Sequence, residues 1–197
     1  MGNLIGILLF DDVEELDFVG PWEVFASAAA GCEDDRVVTI AESTAPVRCA
    51  KGLRVLPDHA FDDAPALDVV LVPGGQGTRR EVDNPVLIDW IRAVVPGCSW
   101  VTSVCTGALL LHEAGAARGR RVTTHRGFIE TLRARGDITV QERVRYVRDG
   151  NLVTAAGVSA GIDMALWLVG QLHGPDYARS IQHLIEYDPA PPYAADV

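Results

Sequence analysis

The chain has no apolar run long enough to cross a bilayer and no excess of basic residues. No segment reaches the roughly 18 continuous apolar residues that a membrane-spanning helix needs, so no membrane association is expected. A formal net charge of −10, with Lys51 the only lysine, argues against a nucleic-acid partner, which requires a basic surface. The first residues lack the basic, then hydrophobic pattern of a secretory signal, so a cytoplasmic location is expected.

Metal-ligand and phosphate-loop motifs are also missing. No C-x-x-C pair and no H-x-x-x-H pair occurs, so no metal site is predicted. The segment Gly75-Gln76-Gly77-Thr78 lacks the lysine and the length of a P-loop, and no other cofactor motif is present. The sequence therefore predicts an enzyme without a cofactor. Its four cysteines, expected to be reduced thiols, are Cys32, Cys49, Cys98 and Cys105.

The 197 residues, 48% of them hydrophobic, are enough for one compact domain spanning 1–197. Apolar strand patterns alternate with helical patterns, which favours an α/β fold with a mainly parallel central sheet. The strands are predicted at 4–10, 36–41, 68–72, 100–104, 121–124, 140–147 and 152–155. The helices are predicted at 22–30, 84–95, 128–135, 159–172 and 176–187, with one more after the strand 100–104 that carries Leu109, Leu110 and Leu111. Short hairpins are expected around Gly52 and Gly150.

The most informative segment is the strand Trp100–Val104, which stops abruptly at Cys105 before an Ala/Leu-rich helix. This layout predicts a nucleophile elbow, with the thiol on a sharp strand-to-helix turn. The free N–H groups at the start of the helix favour a thiolate and can stabilise negative charge on a substrate. Thr106 places a hydroxyl beside the thiol. A small buried residue at a strand end is the alternative for Cys105.

Two further candidates follow other predicted strands. Because ligands of parallel α/β sheets bind beyond the carboxyl ends of the strands, Asp17 and the turn Gly74-Gly75 are expected near Cys105. A desolvated Asp17 would have a raised pKa and could exchange a proton with the thiol. Without a neighbouring cysteine, its position before a predicted helix would favour the role of helix N-cap. The Gly75 and Thr106 N–H groups would form an oxyanion hole, unless the two glycines are only a turn.

Among the five histidines, His125 in Thr123-Thr124-His125 is the only one whose context suggests a site residue. The other four are expected on helices or at the surface.

These residues together resemble the DJ-1/PfpI superfamily and, within it, the isocyanide hydratases. The resemblance covers nearly the whole chain, and its most specific segments are ELDFVGPWEVFAS, DVVLVPGGQG, WVTSVCTGALLL, GRRVTTH, VRDGNLVTAAGVSAGIDMAL and EYDPAPPY. It implies a flavodoxin-like sandwich, a homodimer and a small-molecule substrate bound without a cofactor. By position it makes Cys105 the nucleophile, Asp17 the acid and base, and Thr106 a hydrogen-bonding neighbour. Gly75 supplies an N–H group, and Val158 packs near the thiol.

Two positions separate the chain from other branches. The protease-like and glyoxalase-like members have histidine directly after the cysteine, where this chain has Thr106, and DJ-1-like members use glutamate where it has Asp17. The resemblance therefore implies hydration of an isocyanide to an N-formamide through a covalent thioimidate. Three alternatives remain open: a glyoxalase or deglycase for α-oxoaldehydes, a cysteine redox sensor, and the ligand-sensing domain of AraC-like regulators. A class I amidotransferase is disfavoured because His183 and Glu186 are one residue too far apart for a His-x-Glu pair.

Overall fold

The computed structural model describes residues 2–190 and contains one central sheet with two small two-stranded sheets. The strands are β1 Leu4–Leu8, β2 Arg36–Ala41, β3 Val47–Arg48, β4 Arg54–Val55, β5 His59–Ala60, β6 Val69–Val72, β7 Trp100–Val104, β8 Arg121–Val122, β9 Thr139–Val140, β10 Tyr146–Asp149 and β11 Leu152–Ala155. The central sheet has the order β10-β11-β7-β6-β1-β2-β5. All its pairs are parallel except β10–β11. The predicted fold class, a flavodoxin-like sandwich with a mainly parallel sheet, is confirmed.

Helices cover both faces of this sheet. They are α1 Glu15–Ala29, α2 Thr78–Glu81, α3 Pro85–Val94, α4 Gly107–Glu113, α5 Ile129–Arg133, α6 Ala160–His173 and α7 Pro175–Leu184, with 3-10 turns at Val95–Gly97 and Arg126–Phe128. α1, α6 and α7 pack on one another, and α4 packs against α2 and α3. All four residues of β6 are buried, as expected for a strand covered on both faces. Among the described helices, none is long and apolar enough to span a bilayer.

Local signals in the sequence placed several elements correctly. Asn84 caps α3 by accepting a hydrogen bond from the Val86 N–H at 3.1 Å, and Pro85 occupies the first helical position. β3 and β4 form the hairpin expected around Gly52, whose φ is +99°. β10 and β11 form the second hairpin, with Gly150 at φ +61°. These turns are decided by short-range chemistry, which a sequence displays directly.

Two predicted elements were wrong in extent. α1 begins at Glu15, not at Trp22, and contains Pro21. Its buried face includes Asp17, Phe18, Pro21 and Phe25 and packs against α6, so burial outweighs the helix-breaking tendency of proline. Asp17 is consequently inside the helix and is not its N-cap.

The predicted strand 140–147 also divides. Its first part, β9, pairs with β8, whereas Tyr146–Asp149 joins the central sheet. The prolines in the segment 188–193 predict an extended tail, which lies partly outside the described residues.

The strand order puts the carboxyl ends of β1, β6 and β7 side by side. The chain runs from β1 to β2 on one side and later returns to β6 on the other side, which makes the β1–β6 edge the switch point. The register aligns Ile7 with Leu71 and Val72 with Ser103. Ligands of open α/β sheets bind at this kind of position. The residues that follow these three strands therefore meet at one place.

Candidate active site

Cys105 occupies a strained turn between β7 and α4. Its φ is +57°, a left-handed value that costs a non-glycine residue on the order of 1–3 kcal/mol. The turn is fixed by its surroundings, since the Cys105 N–H donates to the Ala155 and Ala156 carbonyls at 3.1 and 2.8 Å. The Thr124 hydroxyl donates to the Cys105 carbonyl at 2.8 Å. The neighbouring Gly107 permits a close approach to β6, because a Cβ there would lie 2.0 Å from the Val72 carbonyl oxygen.

Asp17 lies beside this thiol and is fully buried. Its Oδ2 accepts a hydrogen bond from the Gly74 N–H at 2.9 Å. Its Oδ1 is buried without a standard hydrogen-bond partner among the described residues, and the carboxyl interacts with the Cys105 thiol. Burial, reinforced by the nearby Glu14 carboxylate, raises the pKa of Asp17 to about 7 despite the Gly74 hydrogen bond. The raised pKa that the sequence predicted for this carboxyl is confirmed.

The helix end favours the Cys105 thiolate as predicted, because the Thr106 N–H lowers the pKa of the thiol, but the net shift in this conformation is in the opposite direction. Burial and the adjacent Asp17 carboxylate raise the pKa of the Cys105 thiol to about 12. The N–H groups of Thr106 and Val158 act in the opposite direction by hydrogen bonding to the sulfur. Desolvation of a charged sulfur outweighs these two N–H groups. At neutral pH the pair therefore carries one proton on sulfur and a second that the carboxyl binds and releases.

The Gly74-Gly75 turn brings a network of hydroxyl groups to the site. Gly75 has φ +127°, and its N–H donates to the Thr106 Oγ1 at 3.1 Å. Thr78, fully buried, donates to the Gly75 carbonyl at 2.8 Å and has its Oγ1 3.0 Å from that of Thr106. In this conformation the Gly75 N–H is directed at the Thr106 hydroxyl, whereas the Thr106 N–H is directed at the Cys105 sulfur. The two expected oxyanion donors are thus near each other but engaged.

Thr78 was missed in the sequence. Its only local signal is its place three residues after Gly75, which is compatible with many turns. The contact that brings Thr78 into the site is with Thr106, which lies on another element, so sequence spacing does not reveal it.

Val158 and His125 border the other side of the site. Val158 has φ +45°, which is rare for a β-branched residue, and this turn directs its N–H to the Cys105 sulfur. His125 accepts a hydrogen bond from the Gly127 N–H through Nδ1 at 3.1 Å. Both line an open cavity of about 710 Å³. Cys105 and Asp17 are not in the lining of this cavity, whereas Val158, which contacts the sulfur through its N–H, is.

The cavity wall combines apolar and charged side chains. It includes Ile129, Val144 and Ala156 together with Arg126, Glu142, Arg143 and Arg145. In residues 2–190 one group of three metal-ligand side chains comes within binding range, Cys32, Asp35 and His173, and it contains neither Cys105 nor Asp17. The arrangement around Cys105 therefore offers a thiol, a carboxyl with a pKa near neutrality, and main-chain donors. These groups suit covalent addition to a small electrophile.

Comparisons with known proteins agree with this geometry. Residues 4–171 match the model of the DJ-1/PfpI family. The chain is 43% identical over 193 residues to an isonitrile hydratase of Pseudomonas putida, covering 98% of this chain and 82% of the relative. It is 27% identical over 173 residues to a glutathione-independent glyoxalase of Caenorhabditis elegans, covering 87% and 89%.

A solved structure of a ThiJ/PfpI family protein from Pseudomonas syringae superposes with a TM-score of 0.92. It is 32% identical, and the match covers 100% of this chain and 80% of the other. A family match over most of the chain, supported by a relative above 40% identity and by a close structural likeness, leaves one assignment. The chain belongs to the DJ-1/PfpI family.

Proposed function

We propose that this protein is a cysteine-dependent hydratase that converts isocyanides to N-substituted formamides. The observation that carries the proposal is the buried pair of Cys105 and Asp17, in which the carboxyl has a pKa of about 7 next to a protonated thiol. The 43% identity to an isonitrile hydratase supports the choice of substrate. Thr106, where related glyoxalase-like proteins have histidine, favours the hydratase over the α-oxoaldehyde reaction.

The first half of the proposed reaction adds the thiol across the terminal carbon of the isocyanide. The Asp17 carboxylate accepts the thiol proton while sulfur attacks that carbon, and the protonated carboxyl then delivers this proton to the same carbon. A carbon–sulfur bond and a carbon–hydrogen bond form, and the sulfur–hydrogen bond breaks. The product is a covalent thioimidate on Cys105. Because the isocyanide is neutral, burial does not oppose its binding as it would oppose an ion.

The second half restores the enzyme. The Asp17 carboxylate removes a proton from water as the oxygen attacks the thioimidate carbon, and the protonated carboxyl passes this proton to the nitrogen; the remaining hydroxyl proton then returns through Asp17 to the departing sulfur. Collapse of the resulting adduct breaks the carbon–sulfur bond and releases the N-formamide with the thiol regenerated. The sum is one isocyanide and one water consumed for each formamide. Two additions with accessible barriers replace one difficult hydration.

In this mechanism the neighbouring groups position the pair. The Gly74 N–H holds one Asp17 oxygen at 2.9 Å, which fixes the carboxyl beside the Cys105 thiol with which it interacts. The N–H groups of Thr106 and Val158 stabilise negative charge on the sulfur as its proton leaves. The Gly75 N–H and the Thr106 hydroxyl are available to developing charge on the substrate if their mutual hydrogen bond is exchanged. His125 lines the cavity, and in this proposal it contacts the substituent on the isocyanide nitrogen.

The test is turnover of an aryl and an alkyl isocyanide, followed by formamide production. Cys105→Ala and Asp17→Asn are expected to abolish it, whereas Cys98→Ala, which removes a buried cysteine hydrogen-bonded to Val94, is the matched control and retains it. Intact-mass measurement of the parent protein, acid-quenched during turnover, tests for an adduct of one isocyanide on Cys105, which Cys105→Ala should lack. Formamide production that survives Cys105→Ala, or turnover of methylglyoxal in place of isocyanides, would contradict the proposal.

We also propose that the protein is a homodimer. α1 presents three exposed apolar side chains in a row, Leu16, Val19 and Trp22, which are 38%, 37% and 40% exposed. They lie on the helix that carries Asp17, and a second copy of the chain that packs against them would remove this apolar surface from water. Light scattering after size-exclusion chromatography tests this, with Trp22→Glu expected to yield a monomer. Glu23→Gln, next to this row, is the control that leaves the mass unchanged.

A further inference from the structure

A second cluster of reactive side chains lies at the amino ends of the sheet strands, on the opposite side of the molecule from Cys105. Asp35 immediately precedes β2, and Asn3 immediately precedes β1, so both lie at the amino ends of parallel strands. Cys32 follows the end of α1, and His173 is the last residue of α6. The carboxyl ends of these strands carry the candidate active site. The cluster is therefore separate from it and has no part in the proposed reaction.

His173 lies between the other two side chains. Its Nε2 is 2.7 Å from the Asp35 Oδ2, and its Nδ1 is 3.8 Å from the Cys32 Sγ. One ligand atom from each of the three residues lies within 4.8 Å of the others. A tetrahedral zinc ion with bonds of about 2.0–2.3 Å needs its sulfur, nitrogen and oxygen ligands roughly 3.5 Å apart. The Cys32 side chain is partly exposed, so it can turn and shorten the distances from its Sγ to the other two ligand atoms.

The remaining contacts hold the ligands in place. The Asp35 Oδ1 accepts hydrogen bonds from the Asn3 main-chain N–H at 2.7 Å and from its side-chain amide at 3.1 Å. Tyr177 packs its ring edge-on against His173 at 5.4 Å, and its hydroxyl donates to the Ala28 carbonyl at 2.6 Å. Outer contacts of this kind orient metal ligands and are a regular part of metal sites. Only the Asp35 oxygen facing His173 is left for an ion.

Electrostatics at this position favour a cation. α1 and α6 both end here, and the carboxyl end of a helix carries partial negative charge. Glu33 and Asp34 add two carboxylates on the same turn. A thiolate and a carboxylate together balance the charge of a divalent ion. The side chains of His173 and Asp35 are 19% and 5% exposed, so the site is shielded but open to solvent on one side.

We propose that Cys32, Asp35 and His173 form a site for a single zinc-class divalent cation. Thiolate, imidazole and carboxylate together are the donor set of a borderline-soft ion such as Zn²⁺ or Co²⁺. The ion replaces the protons on Cys32 and between His173 and Asp35, and water completes the tetrahedron. It ties the turn before β2 to the end of α6. The spacing rules that predicted no metal site did not detect it because its members are 141 residues apart along the chain.

The experiment is a Co²⁺ titration of the full chain without a purification tag. Binding is expected to give tetrahedral visible bands and a thiolate-to-cobalt band in the ultraviolet, with one ion per chain, and one equivalent of Zn²⁺ should remove both. Cys32→Ser and His173→Gln should lose the thiolate band and the tight site respectively. Asn3→Ala, which loosens Asp35, should weaken affinity about tenfold. Cys105→Ser and His183→Gln are the matched controls that should bind like the parent.

Thermal unfolding gives an independent measurement. Zn²⁺ should raise the melting temperature of the parent and of Cys105→Ser, and should leave that of Cys32→Ser unchanged, because an ion stabilises only the state that binds it. Cys32→Ser changes one atom at a half-exposed position, so it keeps the test valid if His173→Gln does not fold. No thiolate band in the parent, a band that persists in Cys32→Ser, or a band lost in Cys105→Ser would each overturn the proposal.

Discussion

Replacing Asp17 with asparagine is expected to make the protein more stable at pH 8 while it removes activity. The carboxyl is fully buried, and its pKa is raised from the ordinary 3.8 to about 7 chiefly by burial. Ionising this carboxyl therefore costs more free energy in the folded protein than in the unfolded chain. The amide of asparagine has nearly the same shape, carries no charge and can still accept the Gly74 hydrogen bond. The substitution removes the cost of ionisation and retains the packing.

The magnitude follows from linkage between protonation and folding. A rise in pKa from 3.8 to about 7 corresponds to about 4 kcal/mol of unfolding free energy. Because the folded pKa of Asp17 is the higher one, its contribution to stability is fully present below pH 3.8 and is lost as the pH rises to about 7. The gain from Asp17→Asn should therefore be near zero at pH 4 and reach its limit above pH 7. About 4 kcal/mol is an upper limit, since the new amide must place its NH₂ group beside Cys105.

The assay is urea denaturation of the parent and the variant at half-unit steps between pH 4 and pH 8. Other carboxyls titrate equally in both proteins, so the difference between them isolates Asp17. Glu23→Gln is the matched control, because Glu23 is exposed on the same helix and accepts a hydrogen bond from the exposed Ser27 hydroxyl. This control should show a small difference that does not grow with pH. A difference for Asp17→Asn that is constant or falls with rising pH would refute the argument that burial raises this pKa.

Three other predictions follow from the same geometry. The kcat/KM for isocyanide should rise with pH to a plateau above about 7, since Asp17 must be ionised to accept the Cys105 proton; a profile flat from pH 5 to pH 9 would contradict this role. Thr78→Val should lower the unfolding free energy by about 1 kcal/mol and reduce kcat more than it raises KM, whereas Thr78→Ser should restore kcat. Gly75→Ala should destabilise the fold by about 3 kcal/mol in urea, because its φ is +127° and a Cβ would lie 2.4 Å from the Asp12 carbonyl oxygen; a wild-type midpoint would exclude that clash.

The site illustrates how burial changes the chemistry that sequence motifs suggest. A cysteine at the start of a helix is usually interpreted as an activated thiolate. Here Cys105 is 7% exposed and adjoins a carboxyl, so burial and the Asp17 carboxylate raise the pKa of its thiol. In the proposed reaction the Asp17 carboxylate accepts the thiol proton as the sulfur attacks a neutral electrophile, so the negative charge moves from the carboxylate towards the sulfur and the substrate during the addition. Preorganised main-chain N–H groups of Thr106 and Val158 are placed for that stage.

Signals confined to a few neighbouring residues were sufficient for much of the fold. The apolar run at 68–72 predicted a strand buried on both faces, and the Asn84-Pro85 pair predicted a capped helix start. The abrupt end of β7 at Cys105 predicted a sharp turn, and the structure has φ +57° there. Each of these outcomes depends on local periodicity, capping or turn chemistry, all of which are written along the chain.

Tertiary contacts decided the rest. The helix was predicted to begin at Trp22, directly after Pro21. Packing against α6 instead lets α1 begin at Glu15, so Asp17 lies inside the helix. The Thr78–Thr106 contact and the Cys32–His173 contact join residues 28 and 141 positions apart, so no spacing rule finds them. The pKa values of Cys105 and Asp17 depend on desolvation, which exists only after the chain has closed around them. The sequence by itself determined which residues approach one another at the strand ends; only the folded structure decided which of them hold a proton.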